Sequence, residues 1–236
     1  MSSPDPFAEI PEIIPLAGGE FAMGQPDGRD EERPVHRVRV GPFGLATLQV
    51  TNAQYDLFQR ATGRRRPRFR DEAAFSNPRQ PVVGVSWFDG VAYCDWLSER
   101  SGKRFRLPTE AEWEWAARGG LEGCVYPWGN EPVTERENYQ SRWIEGPEPV
   151  ATSAPNGFGF HDLCENVHEW CADWYDSSYY AVSPGDNPLG PEEGSRRASR
   201  GGAWRHQIKI ARCAARSSIP PEFEYADYGF RVCQAG

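Results

Sequence analysis

Histidine and cysteine are the side chains of this sequence best suited to metal binding and nucleophilic chemistry. The four histidines are at positions 36, 161, 168 and 206, and the six cysteines are at positions 94, 124, 164, 171, 213 and 233. They form no Cys-x-x-Cys, His-x-His or His-Glu-x-x-His motif, so their spacing argues against a zinc site. We expect most of the cysteines to be buried, reduced thiols.

Aromatic and basic side chains gather in the C-terminal segment, residues 200–233. Aromatic residues beside arginine are the composition typical of binding hot spots. The segment is therefore predicted to form the working surface of the protein, and ordinary loop cover with core-facing aromatic residues is the alternative. The candidate ligand-binding residues are Trp204, Arg205, His206, Gln207, Lys209, Phe223, Tyr225 and Tyr228.

A second basic feature is the run from Arg64 to Arg70, in which five of seven residues are arginine. Such a loop could engage a phosphate or an acidic partner. The slightly favoured alternative is a solvated loop whose charge is neutralised by neighbouring acids.

The elements that must position these residues are short, because 24 glycines and 21 prolines interrupt the chain throughout. Three helices are predicted, each ended by a glycine. The first is predicted from its apolar spacing, and the second and third begin at capping boxes formed by Ser86 with Asp89 and by Thr109 with Glu112. Five short runs have strand-like patterns. The helices are expected at Thr51–Thr62, from Ser86 to Gly102 and from Thr109 to Gly119, and the strand-like runs lie at 18–24, 36–46, 195–204, 210–217 and 228–233.

Composition limits the class of protein. The 236 residues fit one large domain, and aromatic residues at 13% of the chain can bury a core. A net charge of −8 argues against broad nucleic-acid binding. No stretch approaches the roughly 20 apolar residues of a membrane span, and the N-terminus lacks the pattern of a signal peptide. We therefore expect a cytoplasmic location, no membrane partner and mostly reduced thiols. We expect five tryptophans to be buried in the hydrophobic core: Trp113, Trp115, Trp128, Trp170 and Trp174.

Nine motifs, in order along nearly the whole chain, give a resemblance to the formylglycine-generating enzyme and sulfatase-modifying-factor family. The resemblance implies an α+β, C-type-lectin-like fold with little regular secondary structure. It divides the chain into an N-terminal extension, residues 1–13, and a single domain, residues 14–236. The motifs are Gly18–Gly24, Val50–Tyr55, Pro81–Trp87, Arg106–Glu114, Tyr126–Gly129, Pro155–Gly159, Asn166–Trp170, Arg200–Trp204 and Gly229–Val232.

The enzymes of this family hold copper(I) between two cysteines just after an Arg-Gly-Gly-Ser turn, and soft thiolates suit that ion. Here Ala203 takes the place of the serine, and no cysteine follows before Cys213. Cys213 resembles a structural cysteine of the family, whose usual partner position is Ala117. We therefore expect neither copper nor formylglycine-generating activity.

A related branch of the family uses iron held by histidines of an extra helical domain. Because the family domain begins near Ile14, we expect this branch to apply only if another chain supplies the helical domain. The sequence also shows no recognisable iron-binding triad among Asp27, Asp30, His36 and His206.

The family also binds structural calcium, which favours six to eight oxygen ligands. The resemblance implies one site from the side chains of Asp162 and Glu169 and the carbonyls of Glu165 and Val167. The alternative is that Glu169 is a buried, hydrogen-bonded acid. A second site would use Asn138 and the carbonyl of Tyr139, with an acidic ligand that the sequence does not identify. Structural calcium at the first site is the expected cofactor.

These observations favour a non-catalytic domain that binds a protein or small-molecule ligand at its C-terminal face. Some members of the family are variable proteins diversified by retroelements or modules of bacterial defence and signalling proteins. The alternative is an oxygen- and metal-dependent oxidase or modifying enzyme, of the formylglycine-generating or sulfoxide-synthase type, with a divergent site.

Overall fold

Three capped helices organise the first half of the chain in a computed structural model that describes residues 5–131, 146–206 and 210–236. Each begins after a capping box, in which a hydroxyl accepts from the third helical amide and that residue's side chain accepts from the cap amide. Each ends at a glycine in the left-handed conformation, which glycine adopts without steric cost. The helices are α1 (Asn52–Thr62), α2 (Trp87–Ser101) and α3 (Glu110–Arg118).

Ten short strands in these described residues form three sheets. In chain order they are β1 (Ile13–Leu16), β2 (Gly19–Met23), β3 (His36–Val40), β4 (Phe43–Ala46), β5 (Phe105–Arg106), β6 (His168–Trp174), β7 (Arg197–Arg200), β8 (Arg216–Ile219), β9 (Tyr228–Gly229) and β10 (Cys233–Ala235). Their sheet orders are β1-β4-β10-β5, β2-β3 and β8-β7-β6-β9. All pairs are antiparallel except β6 and β9, where His168 pairs with Tyr228 and Glu169 with Gly229.

The predicted α+β class and all three helices are confirmed. The runs that became β2, β3, β4 and β7 are confirmed as strands as well. The prediction for residues 210–217 was wrong over most of its length, because β8 begins only at Arg216. Pattern analysis missed β6, whose first four residues are all buried and therefore show no alternation.

Among the described residues, two large apolar clusters lie on opposite sides of the long strand β6, and two smaller ones include Trp204 and Tyr126. Trp113 and Trp170 are fully buried in the hydrophobic core, as predicted. The expectation was wrong for Trp128, which is 38% exposed and stacks on Tyr126 with ring centroids 5.1 Å apart. Large aromatic side chains thus supply much of the buried area of a chain with few long elements.

A buried group of charges, which we call the closed charge cluster, ties α3 to the C-terminal sheet. Glu110 receives hydrogen bonds from Arg200 (3.2 Å) and Arg216 (2.8 Å). Glu114 pairs with Arg118 at 2.6 Å and with Arg200. None of these five side chains is more than 4% exposed. Each carboxylate contacts two guanidinium groups, and these charged hydrogen bonds offset the free-energy cost of burying the carboxylates.

The chain before the predicted domain boundary also contacts the fold. The carbonyl of Pro6 accepts from the Thr51 hydroxyl at 2.7 Å, and that of Ala8 accepts from the Gln54 amide at 2.9 Å. Among the described residues, no helix has both the length and the apolar character needed to cross a membrane.

Candidate functional site

A glycine turn after β7 carries the chain from the closed charge cluster to the surface. Gly201 and Gly202 both have positive φ, 97° and 70°. A Cβ on Gly202 would lie 2.6 Å from the Cβ of Ala211, so the two arms of the loop meet at its base. Beyond the turn, the amide of Trp204 donates to the carbonyl of Asn166 at 2.7 Å. The sequence around the turn therefore fixes where the residues after it can lie.

A continuous series of aromatic rings forms the C-terminal face, which we define as residues 203–206 and 219–228. Phe223 packs edge-on against Tyr225 with centroids 5.7 Å apart, and Tyr225 lies 6.0 Å from Tyr228. Tyr228 stacks on His168 at 4.7 Å, and His168 meets His206 at 4.9 Å. The series thus runs from exposed rings at one end, through buried rings, to a half-buried imidazole at the other.

The predicted ligand-binding residues occupy two depths of this face. Phe223 and Tyr225 are 40% and 41% exposed. Trp204 and Tyr228 are each only 4% exposed, so they form the floor of the face. The remaining predicted residues are the half-buried Arg205 and His206, and Gln207 and Lys209, which lie outside the described residues.

A carboxylate that the sequence did not single out lies at the centre of the face. Arg205 donates to the Asp227 carboxylate from Nε at 2.8 Å and from Nη2 at 2.7 Å, and Oδ2 of Asp227 is 3.8 Å from Nε2 of His206. Its carbonyl accepts from the amide of His168 at 2.8 Å. One potential metal-ligating atom from each of His168, His206 and Asp227 lies within 4.8 Å of the other two. We call these three residues the His-His-Asp trio.

Both imidazoles of the trio are held in the neutral form. Burial, followed by the nearby His206 and Arg205, places the pKa of His168 well below its usual value. Burial also lowers the pKa of His206, with the Asp227 carboxylate opposing that shift. Neutral imidazoles have a lone pair available for a metal ion or a hydrogen-bond donor.

The arginine run is paired with acids in the structure, as the favoured interpretation of the sequence had it. Arg64 contacts Asp89 at 2.7 Å, and Arg70 contacts Asp56 at 2.9 Å. Arg65 pairs with Glu224, which lies between the two exposed aromatic residues of the C-terminal face. The loop therefore braces that face.

The carboxylates predicted to bind calcium accept hydrogen bonds from other groups of the protein. The Glu169 carboxylate receives hydrogen bonds from Arg231 at 2.7 and 2.8 Å, from Trp113 at 2.7 Å and from Gln49 at 3.0 Å. The Asp162 carboxylate accepts from the Ala151 amide at 2.7 Å, and burial raises its pKa.

In the same segment, the carbonyl of Glu165 accepts from the amide of Val167 at 2.9 Å. This geometry favours the alternative of a hydrogen-bonded acid at Glu169, and calcium stays a prediction. Asn138 and Tyr139 lie outside the described residues.

Two buried thiols meet behind the glycine turn. Sγ of Cys164 lies 3.8 Å from Sγ of Cys213. Burial and the neighbouring Cys213 raise the pKa of Cys164 well above its usual value, so this thiol is protonated at neutral pH. Sequence spacing gave no signal for the pair, because 49 positions separate the two residues.

Comparison with known proteins identifies the family. The family profile described as "Sulfatase-modifying factor enzyme 1-like domain" matches residues 1–235. The formylglycine-generating enzyme of Streptomyces coelicolor is 36% identical over 281 residues, which cover 92% of this chain and 87% of that protein. The chain belongs to the sulfatase-modifying-factor family.

Members of the sulfatase-modifying-factor family differ in length. The serine/threonine-protein kinase pkn1 of Chlamydia pneumoniae is 33% identical over 98% of this chain, which spans only 39% of that protein. Two solved structures have the same fold as the present chain. PvdO from Pseudomonas aeruginosa has a TM-score of 0.85 and 29% identity over the whole of both chains. Treponema denticola variable protein 1 has a TM-score of 0.82 and 25% identity over 95% of each.

The copper position of the sulfatase-modifying-factor enzymes has a different composition here. Ala203, Trp204, Arg205 and His206 follow the two glycines and include no cysteine. Cys213 faces Cys164 within the core instead. The expected absence of copper stays a prediction.

Proposed function

We propose that this chain is a non-catalytic domain that binds a protein or small-molecule ligand through its C-terminal face. The observation that carries the proposal is the exposed pair Phe223 and Tyr225 at the end of a continuous series of packed rings. Exposed aromatic rings on a rigid base offer a large contact area at low entropic cost. A retroelement-diversified variable protein, or a defence or signalling module, is the kind of protein that would use such a face.

Rigidity of the loop that holds the two rings supports this proposal. The carbonyl of Tyr225 accepts from the amide of Gly84 at 3.1 Å, and the amide of Phe223 donates to Pro220 at 3.1 Å. Glu224 between them is held by Arg65. A surface that is already ordered loses little conformational entropy when it binds.

The charge of the chain limits the class of ligand. A net charge of −8 does not favour the phosphate backbone of a nucleic acid. Arg205 is 31% exposed but is paired with Asp227, and Glu224 is paired with Arg65. Glu222 is exposed, so the charge of the face itself is not positive. Apolar or aromatic groups of a protein or small molecule fit this chemistry best.

A fragment screen observed by NMR tests the proposal. The probes are aromatic amino acids, monosaccharides and short aromatic peptides, added one at a time to the isotopically labelled protein. We expect bound probes to shift the signals of residues 203–206 and 219–228. The double variant Phe223→Ala, Tyr225→Ala should weaken that binding at least about 10-fold, since buried aromatic anchors carry most of a binding energy. Phe7→Ala removes another half-exposed ring, and it should bind as the parent does.

Shifts confined to another region, such as the cleft lined by Trp128, Asn156 and Asp162, would contradict the proposal. So would probe binding that survives the double variant. A separate assay addresses catalysis, in which the protein is incubated with copper and a sulfatase-type Cys-x-Pro-x-Arg peptide. We expect no aldehyde product, and an aldehyde would replace the binding function with the enzymatic one.

One observation favours a second candidate, an oxygen- and metal-dependent enzyme with a divergent site. Two neutral imidazoles and a carboxylate converge at the same face. Two histidines with one carboxylate are the ligand set of many iron-dependent oxygenases. This candidate requires that the trio bind a metal ion.

A further inference from the structure

Three side chains with metal-ligating atoms meet beneath the C-terminal face, and they come from separate parts of the chain. His168 begins β6, His206 ends the turn that follows Gly202, and Asp227 directly precedes β9. The parallel pairing of β6 with β9 brings His168 beside Asp227. The hydrogen bond from the His206 amide to the Ala203 carbonyl, 2.8 Å, holds the third residue over them.

We propose that His168, His206 and Asp227 form a binding site for one divalent transition-metal ion. One ligating atom from each residue lies within 4.8 Å of the other two, a separation from which small side-chain rotations reach coordination distance. The inference goes beyond the proposed binding function, because the metal site stands whether or not Phe223 and Tyr225 contact a ligand.

An unpaired polar atom is an independent indication of a ligand at this site. Nδ1 of His168 is buried and has no hydrogen-bond partner among the described residues, although the residue is only 6% exposed. Buried polar atoms are nearly always paired, so each exception needs an explanation. A metal ion bound at Nδ1 would supply the missing interaction.

The charge of the site also suits a cation. The carboxylate of Asp227 compensates the charge of a bound ion, and each imidazole offers it a nitrogen lone pair.

Arg205 already contacts the Asp227 carboxylate, but that contact does not exclude a metal ion. A carboxylate has about four lone-pair positions, and Arg205 uses two of them. The side chain of Arg205 is 31% exposed and can therefore move outward as the ion enters. His206 is 29% exposed, which leaves the site a route to solvent.

The ligand chemistry selects the class of ion. Imidazole nitrogen with a single carboxylate suits Fe(II), Co(II) or Zn(II). It does not suit calcium, which needs six to eight oxygen ligands. Copper(I) favours thiolates, and none belongs to the trio. Three protein ligands leave at least one coordination position for water or another small ligand.

Cobalt(II) and zinc(II) titrations of the full chain, without an affinity tag and after treatment with a chelator, test the proposal. We expect one equivalent of cobalt(II) to produce visible ligand-field bands and zinc(II) to displace it. We expect a zinc(II) dissociation constant of about 10 µM or tighter, since three ligands converge on one position. Calcium at the same concentration should neither bind at the trio nor displace cobalt.

Three variants locate the site. His206→Ala and Asp227→Asn should each weaken zinc(II) binding at least about 100-fold, because each removes one of three ligands. Asp227→Asn retains an oxygen that accepts from Arg205. His161→Gln is the matched control, because that half-buried histidine lies outside the trio and its Nδ1 faces the Ser153 carbonyl at 2.7 Å. It should bind zinc(II) as the parent does.

Several results would overturn the proposal. One is the absence of stoichiometric cobalt(II) or zinc(II) binding by the parent protein, and another is binding that persists in both trio variants. Equal loss in His161→Gln would assign the ion to another place. Thermal unfolding of each variant without metal shows whether it is folded, and His206→Ala alone decides the question if Asp227→Asn does not fold.

Discussion

The segment after β7 joins two groups of charges that differ in their access to solvent. At its base, Arg200 lies in the closed charge cluster, where Glu110 and Glu114 each face two arginines and every member is buried. At its tip, His206 belongs to the His-His-Asp trio and is 29% exposed. Six positions separate the enclosed ionic core from this partly open site. Stability and function can therefore be separated by mutation within one segment.

The largest expected effect comes from breaking the closed charge cluster. Glu114→Gln removes the charge that compensates Arg118 and Arg200, and it should lower the free energy of unfolding by about 3–5 kcal/mol because a buried cation loses its partner. Urea unfolding followed by tryptophan fluorescence measures the loss. As a control, Asp186→Asn breaks an exposed pair with Arg39 and should change the unfolding midpoint little. If Glu114→Gln changed the unfolding midpoint as little as Asp186→Asn does, the closed charge cluster would not be a source of stability.

A smaller effect is expected at the junction between the two groups. Gly202→Ala places a Cβ 2.6 Å from that of Ala211 in a backbone with φ of 70°, so it should cost roughly 2–3 kcal/mol. The measurement is again urea unfolding, with Gly63→Ala as the control. Gly63 has a similar φ of 68° but nothing within 4 Å of the added carbon. If both variants lose the same free energy of unfolding, the close packing of Gly202 against Ala211 adds nothing to the cost of the positive φ.

The closed charge cluster should also show a pH dependence through its neighbour Asp173. Burial, followed by the nearby Glu110, raises the pKa of Asp173 to about 8. Above about pH 4 the folded chain therefore holds a proton that the unfolded chain has released, so stability should fall as pH rises toward about 8 and level off above it. We expect a loss of roughly 1–3 kcal/mol between pH 6 and pH 9. Asp173→Asn remains neutral and should be less sensitive to pH over this range. A parent protein that gains stability from pH 6 to pH 9 would contradict this assignment.

The smallest effect on stability is expected at the open end. His206→Ala removes a half-exposed side chain and should change the free energy of unfolding by no more than about 0.5 kcal/mol. Thermal unfolding without metal provides the measurement. A loss as large as that of Glu114→Gln would make the trio a structural cluster and would remove the contrast between the two groups.

Local chemistry made the helices predictable from the sequence. A capping residue and its partner three positions later satisfy the first amides of a helix, so Ser86 and Thr109 mark helix starts without tertiary information. The capping box of Thr51 with Gln54 was not recognised in the sequence, and that helix was predicted from its apolar residues and Gly63. The nine ordered motifs indicated the fold by another route, through their resemblance to the family. Arg200 and Glu114 belong to two of these motifs, and the structure brings them together in the closed charge cluster.

Long-range contacts account for what the sequence did not predict. The trio joins positions 168, 206 and 227, and Cys164 meets Cys213, so neither group has a characteristic spacing. Pattern analysis treated His206 together with Asp27, Asp30 and His36, although its actual partners come from the parallel pairing of β6 and β9. Composition predicted Trp204 and Tyr228 as ligand-binding residues, but it could not show that both are buried while Phe223 and Tyr225 are exposed.

The close contact of Gly202 with Ala211 has a consequence for how this protein can change over time. The contact makes the chain leave and re-enter the folded body at nearly the same point. Insertions or exchanges between those two positions should therefore leave the register of β7 and β8 intact. Within this stretch, Trp204 packs against Phe75 and should have to be retained, whereas the partly exposed Arg205 and His206 could be replaced. A lineage could thus alter what the protein recognises at a few positions while its interior stays the same.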